Sequence, residues 1–291
     1  DVYKRQAGSR ILPLLKKDLD ISEFTPMANL SYDLSDDLMV YLSYSEGFKS
    51  GGFTQRVFPP IVAPFTAPVG TADIDLIPTY DPEFVEVLEL GFKGTFAGGR
   101  LRLNGALFST DYEDLQVQVF NSVAPVTQNI GKASIEGIEL ELLASPGNGW
   151  LVESSVSLLD ASYDEIDTGN TLIGLSNDFE RVPETTVSLG VSREMTLGAN
   201  GTMVLRGDWS YRSETFNDAY NTPLLETEST DLIDASARWL SADESWTVIL
   251  SATNLTDEEY LVTGVYGTAF QSFEGMFDRG RQVRFEVRRD F

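Results

Sequence analysis

Cysteine and histidine are both absent from this 291-residue chain, and basic residues are scarce. Without them no Cys/His zinc site, Cys–His pair or histidine-based catalytic triad can be built. Lysine and arginine number 21 against 45 aspartates and glutamates, so the net charge is -24. A surface of that sign repels nucleic-acid phosphates and attracts cations. We therefore expect no nucleic-acid partner, and we also predict no catalytic residues, no cofactor, no metal site and no enzyme activity.

Long hydrophobic runs are absent too. The longest, PPIVAPF around Ile61, falls far short of the roughly 18 apolar residues that a membrane-spanning helix needs. The apolar fraction of 42% is nevertheless ordinary for a folded protein. A spanning helix is excluded, whereas a spanning β-barrel is not, because its alternating strands keep the average hydropathy near neutral.

The last stretch, RGRQVRFEVRRDF, alternates with a period of two. Val283, Phe285, Val287 and the terminal Phe291 fall on one face, and charged residues fall on the other. This pattern predicts a strand with one apolar and one polar face. It does not decide which face points to the protein interior.

The rest of the chain reads as successive β-hairpins without a helix of ordinary length. Short turns are predicted near Ser35, at Gly98 and Gly99, and within SPGNG, TLGAN and SADE. The stretches 100–120 and 126–144 are predicted as single strands that cross a membrane and project beyond it. The predicted fold class is therefore all-β, an antiparallel up-and-down meander of about 11 long strands.

The connections alternate between short and long. The long ones lie at roughly 49–81, 164–180, 215–228 and 258–278, with a short return at 121–125 as the exception. Outer-membrane barrels have short periplasmic turns and long outer loops, whereas soluble sandwiches scatter long loops over both ends. The alternation favours a membrane barrel, and a secreted soluble all-β protein such as a glycan-binding module remains the alternative.

Three of the four tryptophans, Trp150, Trp239 and Trp246, lie beside short turns. An indole ring favours the headgroup level of a bilayer, so we expect these three residues to form a membrane girdle at one end of the barrel. The alternative is that tryptophan often begins a strand for reasons of packing alone.

Charge is sorted by parity along the predicted strands. If apolar residues such as Leu90 and Leu140 point to lipid, the charged residues between them point to the lumen, since a charge at mid-bilayer would cost about 2–4 kcal/mol. A solvated sheet face would show the same parity. The predicted lumen-facing residues are Glu89, Lys93, Glu139, Glu141, Arg206, Asp208, Arg212, Asp234, Arg238, Arg284, Glu286 and Arg288.

Six segments of the chain have a recognisable order and spacing from about Ile21 to the end. They are YLSYSEGFKSGGF (41–53), YDPEFVEVLELGFKGTF (80–96), LFSTDYEDLQVQ (107–118), NIGKASIEGIELEL (129–142), ATNLTDEEYL (252–261) and GRQVRFEVRRDF (280–291). Together they resemble the C-terminal barrel half of TonB-dependent outer-membrane receptors. One departure is Arg289, since an apolar residue often stands two positions before the terminal aromatic in this family.

The resemblance implies a plugged 22-stranded barrel, of which about half the strands are present here, so the fragment should be open or imperfectly closed. Residues 1–6, DVYKRQ, look like a translated sequencing adapter, and residues 7–20 are expected to be the remnant of an extracellular loop. The barrel domain is expected at 21–291. The plug and the TonB-contact segment precede the barrel in this family, so we expect both to be missing and the fragment not to transport by itself.

The resemblance further implies a location in the outer membrane of a Gram-negative bacterium and energy-coupled uptake of a scarce ligand. That ligand is commonly a ferric siderophore, while relatives use vitamin B12, haem or glycans. The implied partners are outer-membrane lipid and lipopolysaccharide, the TonB complex through the missing plug region, the barrel insertion machinery and the small-molecule ligand. Val283, Phe285, Val287 and Phe291 are the expected assembly signal, and a passive porin is the alternative function.

Ligand binding is expected at aromatic and polar residues of the long loops. Each of them could instead pack within its own loop. Haem is disfavoured because the chain offers no histidine as an axial ligand. The candidates are Phe53, Gln55, Arg56, Phe58, Tyr220, Asn221, Tyr266, Phe270 and Phe273.

Overall fold

The computed structural model describes residues 18–54, 79–121, 124–167, 173–267 and 271–291. These residues form strands together with two short 3-10 turns, Gly198–Asn200 and Pro223–Leu225. Within the described residues no helix is long and apolar enough to cross a bilayer. The strands are β1 (Met27–Ser35), β2 (Leu38–Lys49), β3 (Gly52–Phe53), β4 (Thr79–Tyr80), β5 (Glu83–Phe96), β6 (Leu101–Glu113), β7 (Gln116–Asn121), β8 (Ala124–Asn129), β9 (Gly131–Gly147), β10 (Trp150–Ile166), β11 (Thr185–Thr196), β12 (Thr202–Arg212), β13 (Thr215–Phe216), β14 (Glu226–Thr227), β15 (Thr230–Leu240), β16 (Trp246–Thr253), β17 (Leu261–Gly267), β18 (Ser272–Phe277) and β19 (Gln282–Arg289).

Eleven of these strands form one antiparallel sheet in the order β1-β2-β5-β6-β9-β10-β11-β12-β15-β16-β19. Each strand of the sheet pairs with the next sheet strand along the chain, which makes an up-and-down meander. β1 and β19 stand at the two ends of this order and are not hydrogen-bonded to each other in the described residues. The predicted meander and its open state are both confirmed.

A band of exposed apolar side chains runs across one face of the sheet. Leu42, Leu90, Leu107, Ile138 and Leu158 are successive cross-strand partners on five adjacent strands. Exposure along the band is high, with Leu90 at 53%, Leu140 at 42% and Phe285 at 69%. A soluble sheet would bury such a face, whereas a membrane barrel turns it to lipid.

The short turns all lie at one end of the sheet, between β1 and β2, β5 and β6, β9 and β10, β11 and β12, and β15 and β16. Asn148 and Gly149 illustrate the turn chemistry, since both have positive φ, at 52° and 77°. Two successive residues with positive φ are what a tight turn between twisted strands requires. The five predicted turns are therefore confirmed.

The prediction of single long strands over 100–120 and 126–144 was wrong. β6 ends at Glu113 and β9 begins at Gly131, and the residues between them form a separate hairpin, β7–β8. The break occurs where Asp114 has a φ of 54° and Gly131 a φ of 128°. It lets Ile130 point into a buried apolar cluster, where it is fully inaccessible to solvent. With the hairpin counted as a loop, the alternation of short and long connections has no exception.

The buried apolar residues of the described chain gather at the long-loop end and not between the strands of the sheet. Leu261, the first residue of β17, and Leu225, in the 3-10 turn that contacts β17, are also buried at that end. This arrangement is the reverse of a soluble β-protein, in which the core lies against the sheet. The main cluster comprises Val119, Val126, Ile130, Ala133, Tyr163, Ile173, Phe179 and Ala219.

Candidate functional site

Four small hairpins occupy long connections at one end of the sheet, where β4 contacts β8 and β14 contacts β17. They are β3–β4, β7–β8, β13–β14 and β17–β18. Buried Asn217 ties β13 to β14, because its side-chain amide donates to the Leu225 carbonyl and to the Thr227 hydroxyl, both at 2.9 Å. The Thr227 hydroxyl in turn donates to the Leu261 carbonyl at 2.8 Å, which connects this unit to β17. The long loops thus contain regular secondary structure and are connected to one another by hydrogen bonds.

A cavity of about 550 Å³ opens among these loops. Its volume falls within the range of about 300–1,000 Å³ that is usual for small-molecule sites. One side is formed by β17–β18, including Thr263 and Glu274, and the other by segments 180–181 and 217–220. Gln118 on the β7–β8 hairpin completes the lining, so residues far apart in the sequence meet at one site.

Charged side chains line one side of this cavity. The Arg181 guanidinium lies 3.6 Å from the Glu180 carboxylate and donates to the Thr263 hydroxyl at 2.9 Å. Asp218 accepts hydrogen bonds from the Thr222 hydroxyl at 2.6 Å and the Thr222 backbone N–H at 2.9 Å. Partial burial raises the pKa of the Glu180 carboxyl, the Arg181 charge opposes that rise, and Asp218 adds to it.

Aromatic rings form another part of the cavity. Tyr220 and Tyr266 both contribute to the lining. The Tyr266 ring stacks on Phe273 across the β17–β18 hairpin, with 4.7 Å between the ring centroids. On the same hairpin Gly264 permits close packing, because a Cβ there would lie 2.8 Å from the Leu225 side chain. The Tyr266 ring therefore lines the cavity in a position that is fixed by stacking on Phe273 and by the close packing of the hairpin.

The structure brings together some of the predicted ligand-binding residues and separates others. Tyr220 and Tyr266 line the cavity, and Phe273 supports Tyr266. Asn221 exchanges two hydrogen bonds with the Asp178 backbone, at 2.6 and 3.0 Å, so its amide is used in holding loops together. Phe53 lies in β3, whose partner is β4, and not in the cavity lining. Gln55, Arg56, Phe58 and Phe270 lie outside the described residues.

Sequence reasoning missed Glu180, Arg181, Asp218, Thr263 and Glu274, which all line the cavity. Glu180 and Arg181 follow a connection with no recognisable motif, and Glu274 looks like one more exposed carboxylate. No local signal distinguishes them, because their shared position depends on packing between separate loops.

The predicted lumen-facing residues lie on the sheet face opposite the apolar band, as strand alternation requires. Several are connected by polar contacts. The Tyr41 hydroxyl donates to Glu89 at 2.5 Å, and Asn104 donates to Glu141 at 3.2 Å. Arg206 bridges Glu153 and Asp208, with both N–O distances at 2.7 Å. This face is a charged, hydrogen-bonded surface of mixed sign.

Trp150, Trp239 and Trp246 lie at the short-turn end of the sheet, on the same face as the apolar band. Trp150 and Trp246 each pair across the strands with an arginine. The Arg193 guanidinium is 5.1 Å from the Trp150 ring centroid. The Trp239 indole N–H donates to the Asn200 carbonyl at 2.7 Å.

In the part of the chain that the structure describes, no group of three or more carboxylates could hold a metal ion. Asp257, one of the loop carboxylates, instead accepts a hydrogen bond from the Arg281 backbone N–H at 2.7 Å. The site is thus a polar and aromatic cavity among the long-loop hairpins, and its residues suit the binding of a soluble small molecule.

Comparison with known proteins identifies a family. Residues 3–255 match the family described as TonB dependent receptor-like, beta-barrel. The chain is 26% identical over 251 residues to the ferric-pyoverdine 358 receptor of Pseudomonas putida, which covers 84% of the chain and 27% of that receptor. It is 25% identical over 192 residues to the probable TonB-dependent siderophore receptor PiuA of Acinetobacter baumannii, covering 62% of the chain and 24% of the relative.

Solved structures share the fold. The ferric yersiniabactin uptake receptor FyuA of Yersinia pestis superposes with a TM-score of 0.71 at 23% identity, covering 91% of this chain and 37% of that one. FpvA of Pseudomonas aeruginosa, solved with a heterologous pyoverdine and iron, gives a TM-score of 0.64 at 22% identity, covering 92% and 33%. The chain thus spans about a quarter of the length of the curated relatives that it matches.

Proposed function

We propose, since this chain belongs to the TonB-dependent receptor-like β-barrel family, that it forms part of an outer-membrane receptor that takes up a ferric siderophore. Receptors of this family are outer-membrane proteins of Gram-negative bacteria, and they transport ligands without catalysing a reaction. The observation that carries the siderophore proposal is the loop cavity, which lies at the long-loop end and combines aromatic rings with charged groups. The names of two curated relatives, a ferric-pyoverdine receptor and a probable siderophore receptor, support it.

The geometry suits capture from outside the cell. Long loops of outer-membrane barrels face the exterior and short turns face the periplasm, so the cavity opens to the medium. An iron complex bound there would lie above the charged face formed by residues such as Glu89, Glu141 and Arg206. That face offers a ligand polar groups along the lumen, while Leu90 and Leu140 face lipid.

We further propose the partners that such a receptor requires. Energy would come from the TonB complex through a plug region, which in this family precedes the barrel. Trp150, Trp239 and Trp246 would lie at the headgroup level of the membrane, next to outer-membrane lipid. The insertion machinery would recognise the last strand through Val283, Phe285, Val287 and Phe291, and lipopolysaccharide would surround the outer loops.

The test is ligand binding and uptake by the full-length receptor. Purified receptor would be titrated with ferric siderophores of several types, and intrinsic fluorescence would report binding. Tyr266→Ala should weaken binding about tenfold or more, because tyrosine is enriched among the few residues of a binding site whose truncation costs about 2 kcal/mol or more. Phe277→Ala on the same hairpin is the matched control, since Phe277 is exposed and does not line the cavity.

Uptake separates this function from the passive-porin alternative. Cells limited for iron should grow on the bound complex only when both the receptor and TonB are present. Two results would contradict the proposal and favour a porin. One is equal uptake in cells without TonB, and the other is a steady ion conductance through the receptor in planar bilayers.

A further inference from the structure

We infer that the loop cavity accepts neutral or cationic ferric complexes and rejects polyanionic ones. This inference rests on the proposed function and adds the charge class of the ligand. Three carboxylates, Glu180, Asp218 and Glu274, line the cavity against a single guanidinium, Arg181, among the described residues. The lining therefore carries an excess of negative charge.

The one cation of the described lining is already engaged. Arg181 lies 3.6 Å from the Glu180 carboxylate, and its guanidinium donates to the Thr263 hydroxyl at 2.9 Å. Its backbone N–H also donates to the Phe216 carbonyl at 2.9 Å, which fixes the residue in the loop. An anionic ligand would have to compete with Glu180 for this guanidinium, because Arg181 is the only basic side chain among the described lining residues.

The other two carboxylates, Asp218 and Glu274, line the cavity, so a bound ligand would meet their negative charges. Asp218 is held by two hydrogen bonds from Thr222. Glu274 lies on β18, opposite Val265 of β17, and is exposed. It makes no ion pair with any residue that the structure describes. Two carboxylates that have no cationic partner in the part of the chain that the structure describes repel a polyanion and attract a cation at short range.

The aromatic lining acts in the same direction. Tyr220 and Tyr266 line the cavity, and Tyr266 is stacked on Phe273. A tyrosine ring presents a negative face that attracts cations and tolerates neutral groups. The net charge of -24 on the chain adds a long-range field of the same sign, which slows the approach of anions and hastens that of cations.

Chemically, this charge pattern separates two common classes of iron chelate. A tris-hydroxamate complex of Fe(III) is neutral, or cationic when the chelator carries a free amine, whereas a tris-catecholate complex is a trianion. We expect the full-length receptor to bind a neutral or cationic tris-hydroxamate complex at least about tenfold more tightly than a tris-catecholate complex. A tenfold ratio corresponds to about 1.4 kcal/mol.

The experiment measures dissociation constants of both complexes on the full-length receptor and on charge variants. Glu274→Gln should bring the two constants closer together by improving the binding of the trianion. Glu259→Gln is the matched control, because it removes the same charge from an exposed loop position outside the cavity lining. The wild-type ratio should also shrink as salt is raised, since exposed charges are screened over about 10 Å at 0.1 M ionic strength.

The outcomes are distinct. Preference for the hydroxamate complex, narrowed by Glu274→Gln but not by Glu259→Gln, supports the inference. Tighter binding of the trianion, or equal effects of the two variants, overturns it and leaves siderophore uptake standing. Failure of the receptor to bind either ferric complex would instead overturn the proposed function, and the inference with it.

Discussion

The guanidinium of Arg289 lies over the indole ring of Trp246, with 4.9 Å between the guanidinium carbon and the ring centroid. The two residues are direct cross-strand partners on β19 and β16. The same guanidinium is 4.8 Å from the ring centroid of Phe291. The family resemblance predicted an apolar residue at position 289, and here two aromatic rings flank the arginine charge instead. The charge is thus accommodated by cation–π contacts at the end of the last strand.

Replacing Arg289 with glutamine should lower the unfolding free energy of the full-length receptor by about 1–2 kcal/mol, because each exposed cation–π contact contributes about 0.5–1 kcal/mol. Urea unfolding in lipid vesicles would measure the change. Arg279→Gln removes an exposed arginine from the preceding loop and is the control. Equal urea-unfolding midpoints for the two variants would show that the contacts of Arg289 with the two rings contribute nothing to stability.

Deleting Phe291 should reduce the amount of receptor assembled in the outer membrane. Its ring is exposed and its described ring contact is with the Arg289 guanidinium, so the deletion removes little packing beyond that cation–π contact and chiefly alters the proposed assembly signal. Protease accessibility on intact cells would report surface levels. Phe24→Ala, which truncates another highly exposed ring before β1, should leave those levels unchanged. Unaltered levels after the Phe291 deletion would count against an assembly role.

An arginine introduced at Leu140 should destabilise the barrel, and one introduced at Glu139 should not. Leu140 belongs to the outward apolar band, where a charge near mid-bilayer costs about 2–4 kcal/mol. Glu139 is its neighbour on β9 and points to the opposite, polar face. Comparing the unfolding midpoints of the two variants in vesicles checks the orientation of the whole sheet. A larger loss of stability in the Glu139 variant would mean that the Glu139 face, and not the Leu140 face, points to lipid.

Gly131→Ala should loosen the β7–β8 hairpin. Gly131 has a φ of 128°, and a Cβ there would lie 2.1 Å from the Glu165 carbonyl oxygen, so strain of about 1–3 kcal/mol is expected before any clash is relieved. Faster hydrogen exchange of residues 116–129 in the full-length receptor would reveal the effect. Gly174→Ala, whose Cβ meets nothing closer than 3.5 Å, should leave exchange in that hairpin unchanged.

The stability of the loop around Glu180 should fall as pH rises. Burial raises the pKa of this carboxyl in the folded protein above its ordinary value, so the folded state holds the proton more tightly than the unfolded state. The stabilising contribution is complete below the ordinary pKa and is lost as pH climbs through the raised value. Arg181 opposes the shift, whereas Asp218 reinforces it.

Hydrogen exchange of residues 173–184, corrected for the intrinsic pH dependence of exchange, would measure that change. Glu180→Gln should flatten the profile within this pH window because the titrating group is gone. Asp178→Asn, in the same loop, should preserve the wild-type profile. An unchanged slope in Glu180→Gln would place the titration elsewhere.

Local patterns were sufficient for much of the fold. The period-two alternation around Leu90, Leu140 and Phe285 predicted the exposed apolar band, and residues with turn chemistry such as Asn148 and Gly149 predicted where strands reverse. The same patterns failed at Asp114 and Gly131. Alternation continues on both sides of those positions, and the bend there depends on the burial of Ile130 among distant loops.

The candidate site was predictable only in part. Aromatic enrichment in the loops pointed to Tyr220 and Tyr266, which do line the cavity, and also to Phe53, which does not. Asn221 has a side chain that could bind a ligand, yet its amide instead joins two loops through hydrogen bonds to the Asp178 backbone. Sequence shows which groups are available in a loop, but the partner that each group meets depends on how separate loops pack.

The sequence by itself determined an all-β chain with two-faced strands, short turns at one end and an acidic surface, because alternation, turn chemistry and charge are local properties. Only the tertiary structure decided that β7–β8 leaves the sheet and that Arg181, Asp218 and Glu274 meet around one cavity. These residues come from three separate connections, so their proximity follows from long-range packing that no local pattern encodes.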